Sequence, residues 1–296
     1  MKRSFTYIIL VAIILATGFS SCQKVPITGR KQVHLLPNST VRQMAFESYA
    51  TFIRENPPLP PANTNVVEVQ QIGNRIKGAV ETYMKNNGLS KRLNGYSWEF
   101  NVVQSPEVNA FCIPGGKVVV YSGILPVTKD DDGLAVVMGH EIAHAIADHG
   151  NERLSQQLAV QLGGVSLAVA LQKQPELTQQ VANTAFGIGS TLGILAYSRQ
   201  HELEADKLGL IFMAMAGYNP ERALSFWTDM SKSGSGAPPE FLSTHPSDAR
   251  RIKQLTEFMP EAKKYYNPAN KNITPDGGKT GGNTTPPKGV KVVKKK

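Results

Sequence analysis

An apolar stretch of this chain carries two histidines and a glutamate, in Met138-Gly139-His140-Glu141-Ile142-Ala143-His144, with Val136, Val137 and Ile146 around it. That mixture reads as a core helix with ionisable side chains on part of its surface. Residues four apart on a helix differ by about 40° in angle and about 6 Å in rise. The two imidazoles therefore converge on one point, at a spacing that suits zinc. Glu141 falls on the adjoining side, placed to take a proton from a water at that point. Asp130, Asp131 and Asp132 precede the helix, expected over residues 133–149, and put acids at its positive end. A pair of core or surface histidines is the weaker reading, because the full pattern seldom arises by chance.

A catalytic zinc takes three protein ligands and keeps one position open. An extended motif with a third histidine on the same segment needs Gly at 147 and His at 150. Ala147 and Gly150 stand there, so that arrangement is excluded. His149 lies five residues after His144 and faces away from the pair on a continuous helix, which makes it a poor ligand. A better source is Ser198-Arg199-Gln200-His201-Glu202-Leu203-Glu204-Ala205-Asp206, on a helix expected over residues 200–215. Glu202 and Asp206 share a face, so one can bind metal while the other orients a ligand histidine from behind. Composition alone allows equally a solvated charged face carrying Glu202, Glu204 and Lys207.

The rest of the chain reads as mainly helical α+β. Helices are expected over residues 40–54, 64–86 and 153–197, the last broken near Pro175, and strands over 98–103 and 116–121. The net charge of +9 sits mostly at the ends: Lys2 and Arg3 at one, and seven lysines against one aspartate from Asn267 onward at the other. A body near neutrality does not read as a nucleic-acid binder. Residues 1–21 have the parts of an export signal: a basic start, an apolar run from Tyr7 to Ala16 and small residues up to Ser21. Cys22, directly after them, resembles the acylated first residue of a bacterial lipoprotein, although Phe19 replaces the usual leucine-like residue. With Cys22 acylated, Cys112 has no disulfide partner. The expected organisation is a signal over 1–21, a leader and proline-rich linker over 22–62, a peptidase domain over 63–266, and a disordered basic tail over 267–296.

Gly139-His140-Glu141-x-x-His144, the Ser198–Asp206 stretch and Ser243-Thr244-His245-Pro246, in that order, resemble metallopeptidase family 48. This is the HtpX-like gluzincin group, and Val25-Pro26-Ile27-Thr28-Gly29-Arg30 is similar to the leader of its lipoprotein branch, the periplasmic quality-control proteases of the BepA and LoiP type. The resemblance implies a mainly helical zincin with a small β-sheet whose edge strand lines the active-site cleft. It implies one Zn2+ per chain held by His140, His144 and Glu202, with Glu141 as general base and Asp206 orienting a ligand. His245 and Arg251 match positions facing the cleft, where either could stabilise an oxyanion or His245 could plug the metal. Asn109 and Ala110 match the edge strand along which substrate lies. The implied function is hydrolysis of misfolded or stalled envelope proteins on the periplasmic side of a bacterial outer membrane, with Cys22 as lipid anchor. The alternative is a chaperone or assembly factor with a mostly closed zinc site. Unlike the integral-membrane relatives, this chain has no spanning helix after its signal, so processing of prenylated peptides inside a membrane does not fit.

Overall fold

The computed structural model describes residues 22–162, 176, 198–232, 241–242, 245 and 249–272. The expected signal, most of the 163–197 stretch and the tail beyond 272 lie outside them. Among the described residues no helix is long and apolar enough to cross a membrane.

Alternation along three short strands builds a sheet with two buried faces. Strand β3 (Glu99–Val103) runs parallel to β5 (Lys117–Tyr121), and β4 (Ala110–Ile113) pairs antiparallel with β5, in the order β3-β5-β4. Val102, Ala110, Cys112, Val118 and Val120 join one core cluster, while Val103, Phe111, Ile113, Val119 and Tyr121 join another. A period of two therefore sends neighbouring residues into different layers. The first layer holds α2 (Thr64–Asn86), the motif helix α3 (Asp131–Ile146) and α5 (Arg199–Met215), with α6 (Arg222–Lys232) and α7 (Ala249–Lys263) outside them. The second is covered by α1 (Asn38–Glu55) and by Leu154 and Leu158 of α4 (His149–Leu162). β4 is thus an edge strand, as expected.

The chain before residue 63 is folded into this frame. Cys22 opens β1 (Cys22–Lys24), which pairs antiparallel with β2 (Lys31–Val33) and sets Cys22 opposite Val33. Between them a tight turn is closed by Val25 N–H donating to the Arg30 carbonyl at 2.8 Å. At the other end, Pro268–Asn272 form a 3-10 turn, held by Asn270 Nδ2 donating to the Met215 carbonyl at 2.8 Å.

Helix α3 begins at Asp130, whose carboxylate accepts from Gly133 N–H at 2.6 Å; such a cap contributes about 1 kcal/mol. From Gly133 to Ile146 every residue is buried. The helix ends earlier than the sequence suggests. Asp148 takes φ 57°, a left-handed conformation that stops the spiral. Its carboxylate accepts from Arg92 Nη2 at 2.6 Å and Asn38 Nδ2 at 3.3 Å, and a new helix starts at His149. Helix α5 is capped by the Ser198 hydroxyl, which accepts from His201 N–H at 3.2 Å.

Two glycines set how closely α3 and α5 cross. A Cβ on Gly209 would lie 2.9 Å from the His140 backbone nitrogen, and one on Gly139 would lie 3.1 Å from the Gly209 carbonyl oxygen. Only backbone meets backbone there. That closeness brings short acidic side chains of α5 within reach of the α3 histidines.

Candidate metal centre

His140 and His144 project from α3 as the four-residue spacing requires, with their Nε2 atoms 3.0 Å apart. Glu202, in the first turn of α5, brings Oε2 to 3.4 Å from His140 Nε2 and Oε1 to 3.4 Å from His144 Nε2. His245 closes the group, its Nδ1 lying 3.2 Å from His140 Nε2 and 3.1 Å from Glu202 Oε1. All four residues are buried, and each offers an atom within 4.8 Å of the others. Three imidazoles and one carboxylate are ligand types that zinc takes, so this donor set fits the ion.

Glu141 stands beside the cluster without joining it. Its Oε1 is buried, has no hydrogen-bond partner among the described residues, and lies 3.4 Å from His245 Nε2. Burial pushes its carboxyl up to about 7, against the opposing influence of His245. A carboxyl in that range can both take and return a proton near neutrality. Burial would raise Glu202 as well, but His245 and Arg251 outweigh it and hold that carboxyl well below the usual range. His144 is pushed well down by burial, which keeps it neutral as a metal ligand must be. For His140, burial acts the same way but the carboxylates of Asp206 and Glu202 prevail and raise it.

Behind His140 sits a paired charge. Its Nδ1 lies 3.0 Å from Asp206 Oδ1, one helical turn beyond Glu202. Arg251 grips that carboxylate with two bonds, Nε to Oδ2 at 2.8 Å and Nη2 to Oδ1 at 2.7 Å, and places Nη1 3.0 Å from Glu202 Oε2. Its guanidinium stacks 3.4 Å over the Trp227 ring. Arg251, matched by resemblance to a cleft-facing position, turns its donors to Asp206 and Glu202. The solvated-face alternative for α5 fails, since Glu202, Glu204 and Asp206 are all buried.

Asn109 and Ala110 are buried at the start of the β4 edge. Asn109 Oδ1 accepts from Ala110 N–H at 2.9 Å, its backbone carbonyl accepts from Tyr121 N–H at 3.1 Å, and its Nδ2 has no partner among the described residues. The segment carrying His245 reaches the same place: Phe241 N–H donates to the Val108 carbonyl at 3.1 Å, and His245 N–H to the Phe241 carbonyl at 2.8 Å.

Sequence reasoning passed over a further set of buried groups. His149, set aside as a ligand, places Nδ1 3.0 Å from His144 Nδ1 and Nε2 3.1 Å from Glu204 Oε2. Arg30 bridges Glu204 (2.9 Å) and Glu152 (2.6 Å), and Glu152 Oε2 lies 2.9 Å from His201 Nε2. The available signal was the Val25–Arg30 leader, which matched a pattern without showing a physical role.

Comparisons with known proteins give the family. A family model described as peptidase family M48 matches residues 71–259. The mitochondrial metalloendopeptidase OMA1 of Schizosaccharomyces pombe is 33% identical over 248 residues, which is 82% of this chain and 68% of that protein. The mitochondrial metalloendopeptidase OMA1 of Homo sapiens is 30% identical over 255 residues, 83% of this chain but 47% of its own length. The beta-barrel assembly-enhancing protease of Escherichia coli K12 is 29% identical over 181 residues, 56% of this chain and 36% of that protein.

These relatives correct the expected location. The proteins aligned over four fifths of this chain are mitochondrial, whereas the bacterial one covers little more than half. A lipid-anchored place on the periplasmic side of a bacterial outer membrane is therefore withdrawn. The physical cause of the error is plain. A basic start, a short apolar run and small residues before Cys22 carry charge and hydrophobicity but no address of their own, and Phe19 already departed from the lipoprotein pattern. The enzyme is a metalloendopeptidase with zinc as its cofactor, and the chain belongs to peptidase family M48.

Proposed function

We propose that this metalloendopeptidase cuts unfolded or misassembled polypeptides laid as an added strand along β4, and that His245 closes the site at rest. The buried His140, His144, Glu202 and His245 cluster with Glu141 beside it carries the reading. Zinc, when bound, supplies Lewis-acid polarisation of a carbonyl and acidifies a water. His140, His144 and Glu202 hold it, and Asp206 with Arg251 fixes the His140 ring. Glu141 takes the proton of the attacking water and returns it to the leaving amine. Backbone pairing along the β4 edge that Asn109 and Ala110 open places the scissile bond and accepts many sequences, as strand addition to a sheet edge does.

His245 fills the position that water and substrate need, and its backbone segment is bonded to Val108 at the head of the same edge. Withdrawal of that segment would free both at once. The second reading, a chaperone or assembly factor with a mostly shut zinc site, draws on the same closed geometry. Turnover and biological rescue of two variants separate them. Turnover of an unfolded protein such as reduced casein should fall about 10²–10⁴-fold in Glu141→Gln with zinc content unchanged, and should rise in His245→Ala. Full biological rescue by Glu141→Gln would favour the chaperone, and a fall in turnover for His245→Ala would make that residue an oxyanion donor.

A further inference from the structure

The His149 ring has no place in the chemistry above, yet it lies against the rear of a metal ligand. The partners of its two nitrogens point to one tautomer. Glu204 Oε2 faces His149 Nε2 at 3.1 Å, and a carboxylate only accepts, so Nε2 carries the proton. In the neutral ring Nδ1 is then an acceptor. It faces His144 Nδ1 at 3.0 Å, so His144 must donate there. His144 Nε2 is left with its lone pair pointing at His140 Nε2 and Glu202, where the metal belongs.

Glu204 is held in turn. Arg30 Nε reaches both its oxygens, at 2.9 and 3.0 Å, and the Thr28 hydroxyl donates to Oε1 at 2.8 Å. Both residues come from the tight turn between β1 and β2. The break at Asp148 makes the arrangement reachable, because a continuous helix would carry His149 to the far side.

We infer that His149 is a positioning residue for zinc: a chain from the Thr28–Arg30 turn through Glu204 and His149 sets the tautomer and orientation of His144. Carboxylate or carbonyl partners of ligand histidines commonly have this effect; here an imidazole is interposed between carboxylate and ligand. The turn before the peptidase core thus belongs to the metal site. The inference rests on the zinc reading of the centre.

The test is zinc affinity by chelator competition, on the full chain, with thermal melting of the metal-free protein as a control. His149→Phe keeps a ring of similar size but offers no acceptor, whereas His149→Asn is smaller but puts a carbonyl oxygen where Nδ1 was. Affinity should fall about 10–100-fold in His149→Phe and recover most of that loss in His149→Asn, with cobalt-substituted spectra changed in the first and near wild type in the second. Packing alone predicts the reverse order, since the smaller residue leaves a cavity. Equal affinity in all three proteins, or a greater loss for His149→Asn, would overturn the inference. Arg30→Met reports on the outer link without touching His149 and should weaken zinc several-fold; no change would remove the N-terminal turn from the chain. A wild-type protein that bound no zinc would instead sink the reading of the centre itself.

Discussion

His140 and His144 come from one turn of one helix, but they are supported from behind by unlike means. His140 is backed directly by Asp206, whose charge is matched by the doubly bonded Arg251. His144 is backed by another histidine, with the carboxylate of Glu204 and the guanidinium of Arg30 one and two steps further out. The first arrangement is compact and contributed by two neighbouring helices. The second draws on α4, α5 and a turn more than a hundred residues away in sequence. Both turn Nε2 towards the shared position beside Glu202. The difference shows that the function required of a ligand's rear nitrogen, a fixed proton, can be met by an ion pair or by a longer polar chain. A direct ion pair concentrates the cost of failure in one contact, while a chain spreads it.

That contrast has consequences for stability. Removing Asp206 leaves the Arg251 guanidinium buried with one carboxylate instead of two, and breaking such a pair costs about 3–5 kcal/mol. Asp206→Ala should show the largest fall in melting temperature together with loss of zinc, and a melt within a degree of wild type would mean the pair is not buried in solution. Next comes the helix crossing on which both supports depend. Gly209→Ala forces a Cβ against the His140 backbone and should cost about 1–3 kcal/mol, with weakened zinc because Glu202 moves away. An unperturbed variant would show that the crossing is looser than its geometry.

The smallest effect belongs to the outer end of the longer chain. Burial opposes ionisation of Glu152, but Arg30 and His201 prevail and hold its carboxyl at about 2, below the ordinary 4.5. A depressed carboxylate contributes stability that is fully present above the unfolded value and lost as pH falls through the folded one. The stability gap between wild type and Glu152→Gln should therefore be greatest above about pH 4.5 and shrink towards pH 2. A gap independent of pH would show that the Arg30–Glu152 pair does not hold in solution.

The support of His140 was legible in sequence and that of His144 was not, for physical reasons. Glu202 and Asp206 are four apart and share a helix face, which left a solvated face equally open; the family resemblance assigned one to the metal and the other to the support of a ligand. The spans of α1, α2 and α5 and two of the strands follow from the same periodicities. His149 was judged on the assumption that α3 continues past residue 146. One residue, Asp148, is left-handed and held by Arg92 and Asn38, and it invalidates that projection. Glu204 looked like part of a solvated face because its partner Arg30 lies 174 residues away. For Arg251 the motif marks proximity to the metal without showing that its donors grip Asp206 and Glu202.

The central claim is that three particular side chains hold the zinc, and elemental analysis with a paired variant addresses it most directly. Purified wild-type protein should carry one zinc per chain. Glu202→Gln keeps the shape and burial of the side chain, and a charge-neutral amide is a poor zinc ligand, so a folded Glu202→Gln protein should lose the metal after mild dialysis against a chelator that wild type survives. Zinc retained by Glu202→Gln at full occupancy under the same dialysis would contradict the account and move the third ligand elsewhere.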